Sequence, residues 1–159
     1  MATLETLGEN GRIELHAGDN DGDIAITDAE IRTHTLVLSA PAGTITQVSS
    51  ETPVDEETPV AGSLLVAEAA LEAESLAGID LAHVWAVAIE AEVTGSGAIR
   101  IDNVGFVLDE EGAPVWPETV TLTEIRTAAG SITIETISEY LVIADVASLS
   151  GAEDRKSVV

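Results

Sequence analysis

The chain has 159 residues, with 29 acidic side chains against 6 basic ones, a formal net charge of −23 and no cysteine. Disulfides, thiolate catalysis and thiolate metal sites are therefore excluded, and six scattered cations make no patch that could hold a phosphate backbone. An apolar share of 45% is too high for a chain disordered by composition, while an aromatic share of 3% means that Val, Ile, Leu and Ala must fill the core.

The acids are spread along the chain; the longest clusters are Asp55-Glu56-Glu57 and Asp109-Glu110-Glu111, and Lys156 is the only lysine. An even acidic coat repels itself in dilute salt. At about 1 M salt the screening length falls to roughly 3 Å and the repulsion fades. The profile is similar to that of proteins from salt-in halophiles. The N-terminal MATLETLGENGRIELH has no basic and apolar stretch of the secretory kind. No apolar run reaches the 18 or so residues that a membrane helix needs. A single domain over 1–159 is expected.

In chain order, residues 12–27 read as a first hairpin. Ile13, Leu15 and Ala17 alternate with Glu14 and His16, and Gly18-Asp19-Asn20-Asp21-Gly22 makes the turn. Strands follow over 31–39 and 44–48. Residues 49–62, SSETPVDEETPVAG, carry ETPV twice, and Pro53 and Pro59 forbid a central strand there. We expect a long acidic loop that contacts a partner through these prolines. Residues 63–77 read as one amphipathic helix, capped by Ser63 and ended by Gly78, with Leu65, Val66, Ala69, Ala70, Ala73, Leu76 and Ala77 on one face. Residues 83–108 form two apolar arms around Thr94-Gly95-Ser96-Gly97, the central hairpin of the expected fold. Val120–Thr127 and Ser131–Ile137 read as another hairpin, and a last strand spans 140–146, followed by the polar tail 150–159. The expected class is mainly β: an antiparallel β-sandwich, or a jelly-roll or barrel, with one flanking α-helix.

The best ligand-like stretch is Asp19 to Glu30. Calcium takes six to eight oxygens, often from alternating acids. With Asp19 as position 1, Asp21, Asp23 and Glu30 fall at positions 3, 5 and 12 of an EF-hand-like loop, although Ile24 stands where glycine belongs. A divalent cation such as calcium is the one cofactor these residues point to. No nucleophile elbow, zinc-protease motif or phosphate loop is present, and His16, His34 and His83 are scattered. No enzymatic activity is expected.

Gly97-Ala98-Ile99-Arg100-Ile101-Asp102-Asn103-Val104 resembles the strand seen near the end of jelly-roll carbohydrate-binding modules. Those modules display aromatic platforms; here Trp116 is the exposed ring that could serve, with Trp85 in the core. The whole combination, an acidic β-domain with a long loop and one helix, is similar to virion proteins of tailed viruses of halophiles, of capsid decoration, turret or tail-tube type. That resemblance implies a non-enzymatic structural subunit of a symmetric assembly. It would be located in the virion, contacting itself and other virion proteins, with no direct nucleic-acid binding and no membrane. The alternative is a cation-dependent carbohydrate-binding module.

Overall fold

A computed structural model describes residues 2–6, 8–18, 20–27, 29–48, 64–148 and 156–158. The strands are β1 (Ala2–Glu5), β2 (Arg12–His16), β3 (Ile24–Thr27), β4 (Ala29–Ala40), β5 (Thr44–Val48), β6 (Leu64–Ser75), β7 (Gly78–Leu81), β8 (Val84–Ala86), β9 (Ala88–Val93), β10 (Ile99–Asn103), β11 (Val107–Leu108), β12 (Pro114–Val115), β13 (Thr119–Thr127), β14 (Ile132–Thr136), β15 (Tyr140–Ile143), β16 (Val146–Ser148) and β17 (Lys156–Val158).

The chain alternates between two sheets. A nine-stranded sheet runs β1-β4-β6-β9-β13-β15, with β2 on β4, β8 on β6 and β16 on β13. A six-stranded sheet runs β17-β14-β10-β7-β5-β3. Every pairing within these two sheets is parallel; only the small β11–β12 pair is antiparallel. Each turn of the chain lays one strand or split strand on the first sheet, then one on the second. This is a parallel β-solenoid, with about 20 residues per tier where no excursion intervenes, inside the usual range for such repeats.

The antiparallel sandwich or jelly roll is therefore corrected. The three expected hairpins are not hairpins, because the strands on either side of each short connection join opposite sheets. Thus β9 belongs to the larger sheet and β10 to the smaller. The flanking helix is corrected too. Residues 64–75 are strand β6, with Leu71, Ala73 and Ser75 turned inward while Glu74 is exposed. The sequence AEAALEAES satisfies a period of two as well as a helical one, and alanine fits either. In-register contact with β4 and β9 on both sides decides for the strand.

The core is a set of stacked aliphatic columns. In the larger sheet Ile13, Leu36, Leu71, Ile89, Leu122 and Ile143 lie one above another. Beside them run Leu15, Leu38, Ala73, Ala91, Ile125 and Val146. In the smaller sheet Ile24, Ile45, Ile79, Ile99 and Ile132 form one column, all buried. Both faces of the core are thus filled from sheets that cover each other, which is why β-branched and leucine side chains suffice without aromatics.

The turns into the smaller sheet are set by tier spacing. A Cβ on Gly97 would collide with the carbonyl oxygen of Ala77, and one on Gly130 with that of Gly97. Neither glycine has a positive φ. Glycine is needed here for close approach of one tier to the next, not for a left-handed turn.

Candidate functional site

The outward face of the larger sheet is an array of carboxylates. Glu72 and Glu90 are register partners, as are Glu90 and Glu124; Glu74 and Glu92 are partners in the next column. Strand spacing puts successive members about 4.8 Å apart at the backbone. Two arginines flank the array. Arg12 pairs with Glu14 and reaches Glu72 at 3.7 Å. Arg126 holds Glu124 at 2.8 Å and Asp145 at 2.7 Å. Glu90, in the middle, makes no ion pair among the described residues. Its carboxyl is held above the ordinary range by partial burial first, then by Glu72, Glu124 and Glu92. At the flank the opposite holds: hydrogen bonds from Arg12 and His16 lower the Glu14 carboxyl.

Like charges directly across a sheet are destabilising. A column of three in register is therefore a repulsive element of this surface. The sequence pattern carries the signal: LEAES, IEAEV and TEIRT are successive copies of one strand, each placing acids at outward positions. Reading these segments as helix, strand and hairpin arm hid their equivalence.

Of the sequence-derived metal residues, the described ones, Asp21, Asp23 and Glu30, are not gathered into one site. Asp19 lies outside the described residues. Asp21 is exposed in the turn with φ of 53°. Asp23 Oδ1 accepts the main-chain N–H of Thr44 at 2.7 Å and its hydroxyl at 2.9 Å, which lowers the Asp23 carboxyl. Glu30 sits on β4 and pairs with Arg32 at 3.5 Å. Among the described residues no group of three His, Asp or Glu side chains stands close enough to hold a metal ion. Asp23 instead fastens the β2–β3 turn to the next tier.

Pro53 and Pro59 also lie outside the described residues. Trp116 is half-buried, not exposed: its indole N–H donates to the Val104 carbonyl at 3.2 Å, and its ring meets Phe106 at a centroid distance of 5.8 Å. Trp85, also half-buried, donates to the Val115 carbonyl at 3.0 Å. Three of the four aromatic residues thus gather where the excursion 104–118 folds back on the solenoid.

Among the described residues five polar side chains are buried: Thr33, Gln47, Ser75, Asn103 and Thr127. All five are bonded within the fold. Gln47 brackets His83, accepting its N–H and donating to its carbonyl, both at 3.0 Å. Thr127 donates to the Gly97 carbonyl at 2.7 Å and accepts from Gly130 N–H. Ser75 closes the turn at Gly78, and Thr33 meets Thr6 at 2.7 Å. Each bond ties a strand to its turn or to a neighbouring tier. On the smaller sheet, Thr44, Thr46, Asp80, Arg100, Ser131 and Thr133 line a shallow groove of about 390 Å³; Arg100 is turned onto Asp102 at 3.2 Å.

No helix of the described residues is long and apolar enough to cross a membrane. Comparison with protein-family models, curated proteins and solved structures gave no match.

Proposed function

We propose that this chain is a non-enzymatic structural module, a stiff acidic rod that forms part of a larger assembly in concentrated salt. The observation that carries this reading is the use of the buried polar groups. Among the described residues all five are bonded into tier-to-tier or turn contacts, as in a scaffold. The in-register Glu72–Glu90–Glu124 column, with Glu90 unpaired among the described residues, supports the high-salt setting. The acidic composition fits a salt-rich setting, and the resemblance given above, without its sandwich and helix, would place the module in a virion of a halophile's tailed virus, as a capsid decoration, turret or tail-tube component. Its partners would be copies of itself and other virion proteins, with no direct contact to nucleic acid. Sedimentation equilibrium in molar KCl tests the proposal: concentration-dependent assembly is expected, and a single-chain mass at every concentration would overturn it.

A second reading, carbohydrate binding, is favoured by the gathering of Trp85, Phe106 and Trp116 at one corner. It would place the sugar there instead of on the 97–104 strand. Titration calorimetry against a panel of oligosaccharides, with Trp116→Ala as control, separates the two.

A further inference from the structure

The larger sheet has β2 at one end and β15 at the other. At one end lies β2. Thr35 N–H donates to the Gly11 carbonyl and Ala17 N–H to the Ser39 carbonyl. In a parallel ladder bonding alternates by residue, so Ile13 and Leu15 bond to β4. The N–H and C=O groups of Arg12, Glu14 and His16 then face away from it. At the other end lies β15. Tyr140 N–H donates to the Glu118 carbonyl and Ala144 N–H to the Leu122 carbonyl. The main-chain groups of Leu141 and Ile143 therefore face away from β13. Among the described residues no strand pairs with either free edge.

The side chains agree with the backbone. Ile143 ends the column that begins at Ile13, and it is 53% exposed where Leu36, Leu71, Ile89 and Leu122 above it are fully buried. Tyr140, Val142 and Ile137 are exposed on the same end. Setting Ile143 against Ile13 of another copy continues the column. That register also pairs the Ile143 N–H with the carbonyl at Arg12 and the Ile143 carbonyl with the N–H at Glu14. These are the groups left free. Column alignment and hydrogen-bond parity go together in parallel strands, and this register meets both.

We propose that the β15–β16 edge of one copy receives the β2 edge of a second copy, in parallel, so that the solenoid continues head to tail. This rests on the structural reading above and names its partner. The contact is heterologous, so it propagates as a filament unless it closes. Exposed, flat strand edges that carry apolar side chains are templates for such addition. The charge of −23 opposes it in dilute buffer, and molar salt screens that opposition.

Two proline variants test the register. Ile143→Pro removes an N–H that no other strand of the described residues uses, a position where an edge strand tolerates proline; Glu14→Pro does the same at the opposite end. In molar KCl the wild type is expected to grow with concentration, and each variant alone to sediment as a single chain. Their equimolar mixture is expected to stop at a 1:1 dimer, because one blocked copy keeps only its β2 edge and the other only its β15 edge. Circular dichroism and thermal melting check that each variant folds. If a proline variant does not, Ile143→Lys, which charges the open end of the column without touching the backbone, replaces it. Wild-type assembly untouched by all three substitutions overturns the stacking but leaves the structural reading standing. A wild type that remains a single chain in molar salt overturns both.

Discussion

Asn103 holds both main-chain groups of Ala86. Its Oδ1 accepts the Ala86 N–H at 2.8 Å and its Nδ2 donates to the Ala86 carbonyl at 3.0 Å, with a further bond to Thr136 Oγ1 at 3.3 Å. Asn103 and Ala86 are both fully buried. The side chain stands in for a missing strand between β8 and the smaller sheet.

Asn103→Ala should therefore be among the costliest single substitutions. It leaves a buried donor and a buried acceptor unpaired, each worth about 1–3 kcal/mol. Denaturant unfolding in molar salt checks this. A loss of under about 1 kcal/mol would mean that water enters and replaces the amide.

Gly97→Ala tests the tier spacing. The added methyl meets the Ala77 carbonyl oxygen, a backbone atom that cannot swing aside. Overpacking of this kind costs about 1–3 kcal/mol. Since Gly97 lacks a positive φ, the loss arises from contact alone. Serine at the same place should cost at least as much. Thermal melts of the two variants beside wild type give the comparison.

Glu90→Gln should stabilise the fold at neutral pH and low salt, by about 0.5 kcal/mol on the scale of cross-strand pairs. The sign follows from the raised carboxyl. A group that holds its proton more tightly when folded favours folding at low pH, and that advantage disappears as pH rises through its folded value. The gain from glutamine should shrink as salt is added, and vanish once the pH falls below the ordinary glutamate range. An equal gain in molar KCl would show that charge is not the cause.

Asp23→Ala should act with the opposite sign. The bonds from Thr44 lower the Asp23 carboxyl. Its contribution is present above the ordinary aspartate value and is lost as pH falls through the lower folded value. The variant should melt below wild type at neutral pH, and the gap should close in acid. A gap that does not narrow at all as pH falls below the ordinary aspartate value would assign the effect to packing.

Much of this was legible in the sequence at the level of single strands. Alternation put Ile13 on the face opposite Glu14, and Ile13 is buried; the excess of aliphatic over aromatic residues matches the stacked columns. What local pattern could not show is the partner of each strand. A short glycine turn followed by an alternating run looks the same whether the chain folds back beside itself or crosses to an opposite sheet. The distinguishing signal was repetition: Gly22-Asp23-Ile24-Ala25-Ile26, Gly43-Thr44-Ile45, Gly97-Ala98-Ile99-Arg100-Ile101 and Gly130-Ser131-Ile132-Thr133-Ile134 are one motif. The excursions at 49–62 and 104–118 break its period, and the resemblance of 97–104 to a jelly-roll strand drew attention to one copy alone. The metal reading failed to gather its residues for a related reason. Asp23 is acidic because the turn needs an acceptor for Thr44, a need visible only once two tiers are stacked.

The glycine column has one more consequence. Each glycine answers to the carbonyl one tier below, so the spacing of a tier is set by its immediate neighbour. Length is then an adjustable property: a duplicated or deleted turn of about 20 residues changes the rod by one strand spacing, about 4.8 Å, without disturbing the rest. The span of such a rod changes only in whole steps.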